Sequence, residues 1–165
     1  MNQIAILEPS VDLIPQGEKG ELLYSSIQEF KNILSANPKK QWIHTNKFAG
    51  NAKYISIHVI EDLLNKLFPF WEVKQNGQAQ ILGNSVVVSV ELRVFNPLIN
   101  QWISYAGIGA VPIEVKSGAH PTDFTKISPK AMHKNVPAAM SYAVKNAAKK
   151  IGRIFGSHLN TQDSI

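Results

Sequence analysis

SVVVSVELRVFNPLINQWISYAGIGAV, residues 85–111, decides the fold class. Val86, Val88, Val90, Leu92 and Val94 alternate with Ser89, Glu91 and Arg93. Such a period of two makes one apolar face only in an extended strand. Asn96-Pro97 and Asn100 bracket a hairpin loop, after which QWISYAGIGAVPIEV (101–115) makes the return strand. A strand pair with one apolar face implies an antiparallel sheet covered on that side by helix.

Upstream of this hairpin, WEVKQNGQAQIL (71–82) reads as a further strand with a turn at Asn76-Gly77. GELLYSSIQEFKNIL (20–34) places Leu22, Leu23, Ile27, Phe30, Ile33 and Leu34 at helical spacing, and Asn37-Pro38 stops that helix. The segment 39–68 starts extended and turns at Ala49-Gly50-Asn51. It continues as a helix whose apolar stripe is Ile55, Val59, Leu63, Leu64 and Leu67. Residues 1–20 carry Pro9, Pro15, Gly17 and Gly20 among scattered apolar positions and read as an arm. Downstream, residues 116–135 read as a surface connection. A closing helix is expected from near Pro137, a residue tolerated in a first turn, to about Leu159. The order defines an α+β domain.

At 165 residues the chain fits one domain with a proper core. A hydrophobic fraction of 44% and a charged fraction of 18% exclude a disordered chain. Seventeen basic against twelve acidic residues leave +5, which favours an anionic partner. Without cysteine there is neither a disulfide framework nor a thiolate zinc site. MNQIAILEPSVDLI lacks the layout of a secretion signal, and no apolar run approaches the roughly 20 residues that span a bilayer. A cytoplasmic protein is expected.

The charge is concentrated in AVKNAAKKIGRIFGSHL (143–159). At 100° per residue, Val144, Ala148, Ile151 and Phe155 form one stripe of the expected helix. Lys145, Lys149 and Arg153 lie opposite at i, i+4 and i+8, with Lys150 flanking. Like charges at this spacing repel by a few tenths of a kcal/mol per pair, and no carboxylate is interleaved. Cations in a last helical turn complement the macrodipole; a phosphate backbone would relieve the same repulsion with release of counterions. Gly152 and Gly156 each cost about 1 kcal/mol relative to Ala in a helix, so a close approach of sheet or ligand is expected there.

Other chemistry finds little support. His44, His58, His120, His133 and His158 lack metal-ligand spacing. Glu61 and Asp62 diverge by 100° on a helix, which excludes shared acid–base work. GIGAVP is followed by no Gly-Lys-Ser/Thr, so ATP is not expected. No catalytic residue, metal or cofactor is assigned. Trp42, Trp71 and Trp102, with Phe48, Phe68, Phe70 and Tyr105, are expected in the core or a subunit interface. Phe48 and Tyr54, flanking Lys47 and Lys53, are the exceptions, as candidate base-stacking rings.

Three stretches, in order and at compatible intervals, resemble the Rad fifty-two family of single-strand DNA-annealing proteins, in a short phage or mobile-element form. AAKKIGRIFGSHLN (147–160) is similar to the family's helix of paired basic residues, a further basic residue three positions on, then Phe-Gly. TNKFAGNAKYISIHVIEDLLNKLFPFW (45–71) resembles its basic residue before an Ala-Gly turn, with Lys47 where arginine is usual. SVVVSVELRVFNPLINQWISYAGIGAV resembles its strand and return strand, although Gly107-Ile108-Gly109 lacks the family's aromatic. The resemblance covers residues 41–160.

The resemblance implies a β-β-β-α core assembling into a closed homo-oligomeric ring, with single-stranded DNA in a groove around it. It implies phosphate contacts at Lys47, Lys149, Lys150 and Arg153, an outer contact at Lys130, and support from Arg93 or Lys126. Lys145 joins the set from the basic stretch itself. The division is then an arm at 1–20, an annealing domain at 21–160 and a tail at 161–165. The expected function is ATP-independent annealing of complementary strands in recombination and repair, with a host or phage single-strand binding protein as a further partner. An oligomer that coats DNA ends without annealing is the alternative.

Overall fold

The computed structural model describes residues 18–47, 50–120, 122–128 and 130–161. Most of the expected arm, Phe48 and the last four residues of the tail lie outside them. The fold is α+β. Helix α1 (Glu18–Ser35) is followed by a hairpin of β1 (Ile43–Asn46) and β2 (Ala52–Ile55), then helix α2 (Ile57–Leu67). Strands β3 (Trp71–Gln75), β4 (Gln80–Leu82), β5 (Ser85–Asn96) and β6 (Gln101–Pro112) form the main sheet, and α3 (Ala131–Ala148) lies across it.

Burial along β5 alternates strictly, and Val86, Val88, Val90, Leu92 and Val94 are at most 1% exposed. Burying such a side chain is worth about 1.5–3 kcal/mol against leaving it in water. The register leaves no freedom, because a one-residue slip would turn all five outward. Strand β6 pairs with β5 over the whole of both strands. Strands β3 and β4 both pair with β5, so they share its other edge as one strand interrupted near Asn76-Gly77, where Gly77 has φ +78°.

Backbone direction follows from the parity of the register. The Asn76 N–H bonds to the Ser89 carbonyl and the Phe95 N–H to the Phe70 carbonyl, so odd-numbered residues of β5 turn toward β3 and β4. Even-numbered ones turn toward β6, where Val90 faces Gly107 and Leu92 faces Tyr105. The backbone groups of Trp102, Ser104, Ala106, Ile108 and Ala110 therefore point away from the sheet. Among the described residues no strand pairs with this side of β6.

Helix α3 approaches β6 through small residues. Ala131, Asn135, Ala139, Ala143 and Ala147 recur every four positions and are all buried. Gly107 and Gly109 lie beneath them, and a Cβ on Gly107 would strike the Ala143 carbonyl, one on Gly109 the Ala139 carbonyl. Asn135 is satisfied by donating from Nδ2 to the Pro112 carbonyl at 3.0 Å. Helix α2 adds Ile60, Leu63 and Leu64 to the same core, with Phe68 just past its end.

Two expected boundaries are corrected. The closing helix begins at Ala131, so Pro137 sits inside it, exposed, and the end of the expected connection is helical. Its buried Ala131 and Asn135 explain the early start: packing on the sheet outweighs the local cost of a proline. The helix also ends at Ala148 and not near Leu159. The chain there tightens into a turn, with Lys150 and Ile151 N–H groups bonding three residues back. Gly152 then passes so close to α1 that a Cβ would lie 2.6 Å from the Leu34 carbonyl. A short 3-10 turn, Arg153–Phe155, buries Phe155 and closes at Gly156 with φ +84°. Ile55, expected on the α2 stripe, instead ends β2 and is buried there.

Candidate nucleic-acid interface

The early end of α3 changes the shape of the basic stretch. A straight helix would present Lys145, Lys149 and Arg153 as a line, but Arg153 lies beyond the turn, where the chain folds back onto α1. The result is a cleft of about 650 Å³ between the last turns of α1 and the segment after α3. Lys31, Lys149, Lys150 and Arg153 line it, with His158, Ser35 and Ser157 as the other polar side chains. Among the described residues, no carboxylate lines it.

The ion pairs among the described residues all lie elsewhere: Glu72 with Lys74 and Arg93, Asp123 with Lys126, Glu114 with Lys134. Among the described residues, the two lysines of the cleft that bond a side-chain or backbone partner both reach neutral groups. Lys150 Nζ donates to the Ala106 carbonyl at 2.7 Å, and Lys149 Nζ to Asn146 Oδ1 at 3.3 Å. These bonds hold the side chains in place without cancelling their charge. Lys149 and Lys150 follow the C-terminus of α3, where cations also offset the helix dipole. That effect accounts for two of the four charges and for neither Lys31 nor Arg153.

Lys149 also borders a small hollow formed by Tyr54, Ile55, Ile60, Tyr142, Lys145, Asn146 and Phe155. Lys145 lies there with its ammonium 4.2 Å from the Tyr142 ring centre and 5.3 Å from that of Tyr54. Its pKa is held below the ordinary lysine value, first by burial and second by the Lys149 ammonium. Arg153 and His158 continue into a third hollow with Asn37 and Thr161.

Of the residues expected from sequence, Lys149, Lys150 and Arg153 share the cleft and Lys145 adjoins it. Lys47 is exposed at the end of β1, at the tip of the β1–β2 hairpin. Tyr54 pairs with His44, so the tip lies three residues, roughly 10 Å, beyond the level of Tyr54. Lys130 is exposed at the opposite end of α3, about 27 Å away for an 18-residue helix. Arg93 sits on the uncovered face of the sheet, bonded to Glu72 and stacked 5.1 Å over Trp102. Lys126 is paired with Asp123 in a separate 3-10 turn. Neither joins the cleft.

His158, read from sequence as a solvated or groove-lining side chain, lines the cleft, whereas Lys31 has no signal in the sequence. Lys31 is one cation on an ordinary amphipathic helix, and only the Gly152–Leu34 contact brings it to Lys149 and Arg153. Of the aromatics expected inside, Phe68 is buried while Phe70 and Trp102 are exposed. Among the described residues no three His, Asp or Glu side chains gather to hold a metal, and no helix is long and apolar enough to cross a membrane. No family model matches the chain, and no curated protein matches it.

Proposed function

We propose that the protein binds single-stranded DNA by its phosphates along the cleft of Lys31, Lys149, Lys150 and Arg153, and anneals complementary strands without ATP. The observation that carries this reading is four cations lining one cleft with, among the described residues, no carboxylate beside them. Lys serves phosphate as a point charge, and Arg adds a bidentate fork. Contact confined to the backbone leaves the bases free to pair, and pairing itself breaks no bond. The resemblance to the annealing family at Lys149, Lys150 and Arg153 supports the same assignment.

A single cleft grips only a few phosphates, so useful affinity requires repetition. The sheet has two outer edges, β6 on one side, where the Lys150 and Asn146 side chains bond the Ala106 and Ile108 carbonyls, and β3 with β4 on the other; edge-to-edge pairing of copies would release those two side chains from β6. Copies in a ring would hold one strand by many weak contacts at high local concentration.

Lys149→Ala combined with Arg153→Ala is expected to keep the fold and lose oligonucleotide binding. The slope of log affinity against log salt should fall by about 0.7 for each phosphate contact removed. Unchanged affinity at low salt would refute the cleft. A timed annealing assay separates annealing from a coating role: acceleration over the protein-free rate supports annealing, and none leaves a binding protein.

A further inference from the structure

The hairpin that carries Lys47 is a two-stranded sheet that, among the described residues, shares no strand pairing with the main sheet. A lone two-stranded hairpin is marginally stable at best in water, so its position depends on what fastens its stem. Ile55 anchors the base in the core, with its methyl end against Gly156. Two polar devices hold the next residues up. Asn160 clamps Lys53 by both of its backbone groups: the Lys53 N–H donates to Asn160 Oδ1 at 2.6 Å, and Asn160 Nδ2 donates to the Lys53 carbonyl at 2.7 Å. Tyr54, the next residue, presents its ring to the Lys145 ammonium, which Tyr142 contacts from α3.

Lys145 is thus placed differently from its basic neighbours. Lys150 and Arg153 reach into an open cleft, whereas Lys145 is half-buried against two ring faces in a hollow closed by Ile55, Ile60 and Phe155. An ammonium in this setting bridges two elements, β2 and α3, by attraction to both rings.

We infer that Lys145 is a positioning residue that, with Asn160, fixes the Lys47 hairpin against α3, and that it does not itself grip phosphate. The consequence for DNA rests on the function proposed above and on the phosphate contact that the family resemblance implies at Lys47. The fastening of the hairpin does not, and the test reads the two separately.

Hydrogen exchange of the Lys53, Tyr54 and Ile55 amides in the DNA-free protein reads the fastening. Lys145→Met, which keeps length and burial but removes charge, is expected to speed exchange at least tenfold. Lys145→Arg, which still stacks on aromatic rings, should restore protection, and Lys47→Ala should leave it unchanged. Tyr54→Leu removes the same contact from the other side and should speed exchange alike, should Lys145→Met fail to fold. Unchanged exchange in a folded variant refutes the inference.

Affinity for an oligonucleotide reads the consequence. A positioning residue makes the losses from Lys145→Met and Lys47→Ala overlap, so the double variant binds no worse than the weaker single. Losses that add, each lowering the salt slope by its own share, would make Lys145 a phosphate contact and overturn the inference. If the unaltered protein binds no oligonucleotide, the proposed function fails, and exchange alone decides the fastening.

Discussion

Gly107 and Gly109 show how a residue without a side chain can set the spacing of two elements. Gly109→Ala places a methyl group against the Ala139 carbonyl and the Ala143 N–H of α3, backbone atoms that no rotamer change can move aside. The expected loss is about 1–3 kcal/mol or more, seen as a lower urea midpoint. A midpoint unchanged from the parent would mean that α3 does not lie this close. At Lys145 the charge of a neighbour is the variable. Lys149→Ala removes the smaller cause of its lowered pKa, so the value should climb toward, without reaching, the ordinary 10.5, because burial remains. NMR titration of the Lys145 side chain reads this directly, and a fall would reverse the assigned cause. The sequence showed that Gly-Ile-Gly is no phosphate loop, since no Gly-Lys-Ser/Thr follows it. Its real partner, a stripe of alanines some thirty residues on, has no local signal. Lys149, Lys150 and Arg153 were legible because they crowd together in the chain; Lys31 was not, because only tertiary contact supplies its neighbours.

Among the elements, strands were easier to read than helix ends. The period of two in β5 is a property of the strand alone, and burial follows it residue by residue. Helix α3 misled in both directions. Its buried face is alanine and asparagine at every fourth position, which carries little hydrophobic contrast, so the sequence pattern points to Pro137 as the start and misses the turns before it. At the other end, Gly152 and Gly156 both lie beyond the helix; the sequence suggests a close approach of sheet or ligand at Gly152, and what packs there is instead the end of another helix, α1. Gly156 closes a 3-10 turn at positive φ. Pro137 in the second turn cannot bond the His133 carbonyl, and it is exposed, so no core packing demands it. Pro137→Ala is therefore expected to raise the urea midpoint without changing the slope, by a stabilisation of about 1–3 kcal/mol. A loss of stability would show that the break in hydrogen bonding shapes α3 to the sheet.

At the scale of the whole molecule the two outer edges of the sheet make the proposed assembly testable. The outward backbone groups of β6 belong to its even-numbered residues, and those of β3 and β4 to Trp71, Val73, Gln75 and Ile81, which face even-numbered residues of β5. Proline is tolerated where the N–H it removes points away from the sheet. Ser104→Pro should therefore leave the protomer folded while blocking the β6 edge, and Ile81→Pro should do the same for the opposite edge. In a head-to-tail ring, each copy joins its β6 edge to the β3–β4 edge of the next, so either substitution alone should reduce the oligomer to single chains in light scattering. Mixed in equal amounts, the two variants keep one good edge each, of opposite kinds, and should pair into dimers that grow no further. An isologous contact, β6 against β6, would instead leave Ile81→Pro unaffected and give no rescue on mixing. Oligonucleotide affinity should follow assembly, since a monomer offers one cleft where the ring offers a track of them. A variant that is monomeric yet binds a long oligonucleotide as tightly as the parent would separate the cleft from the ring.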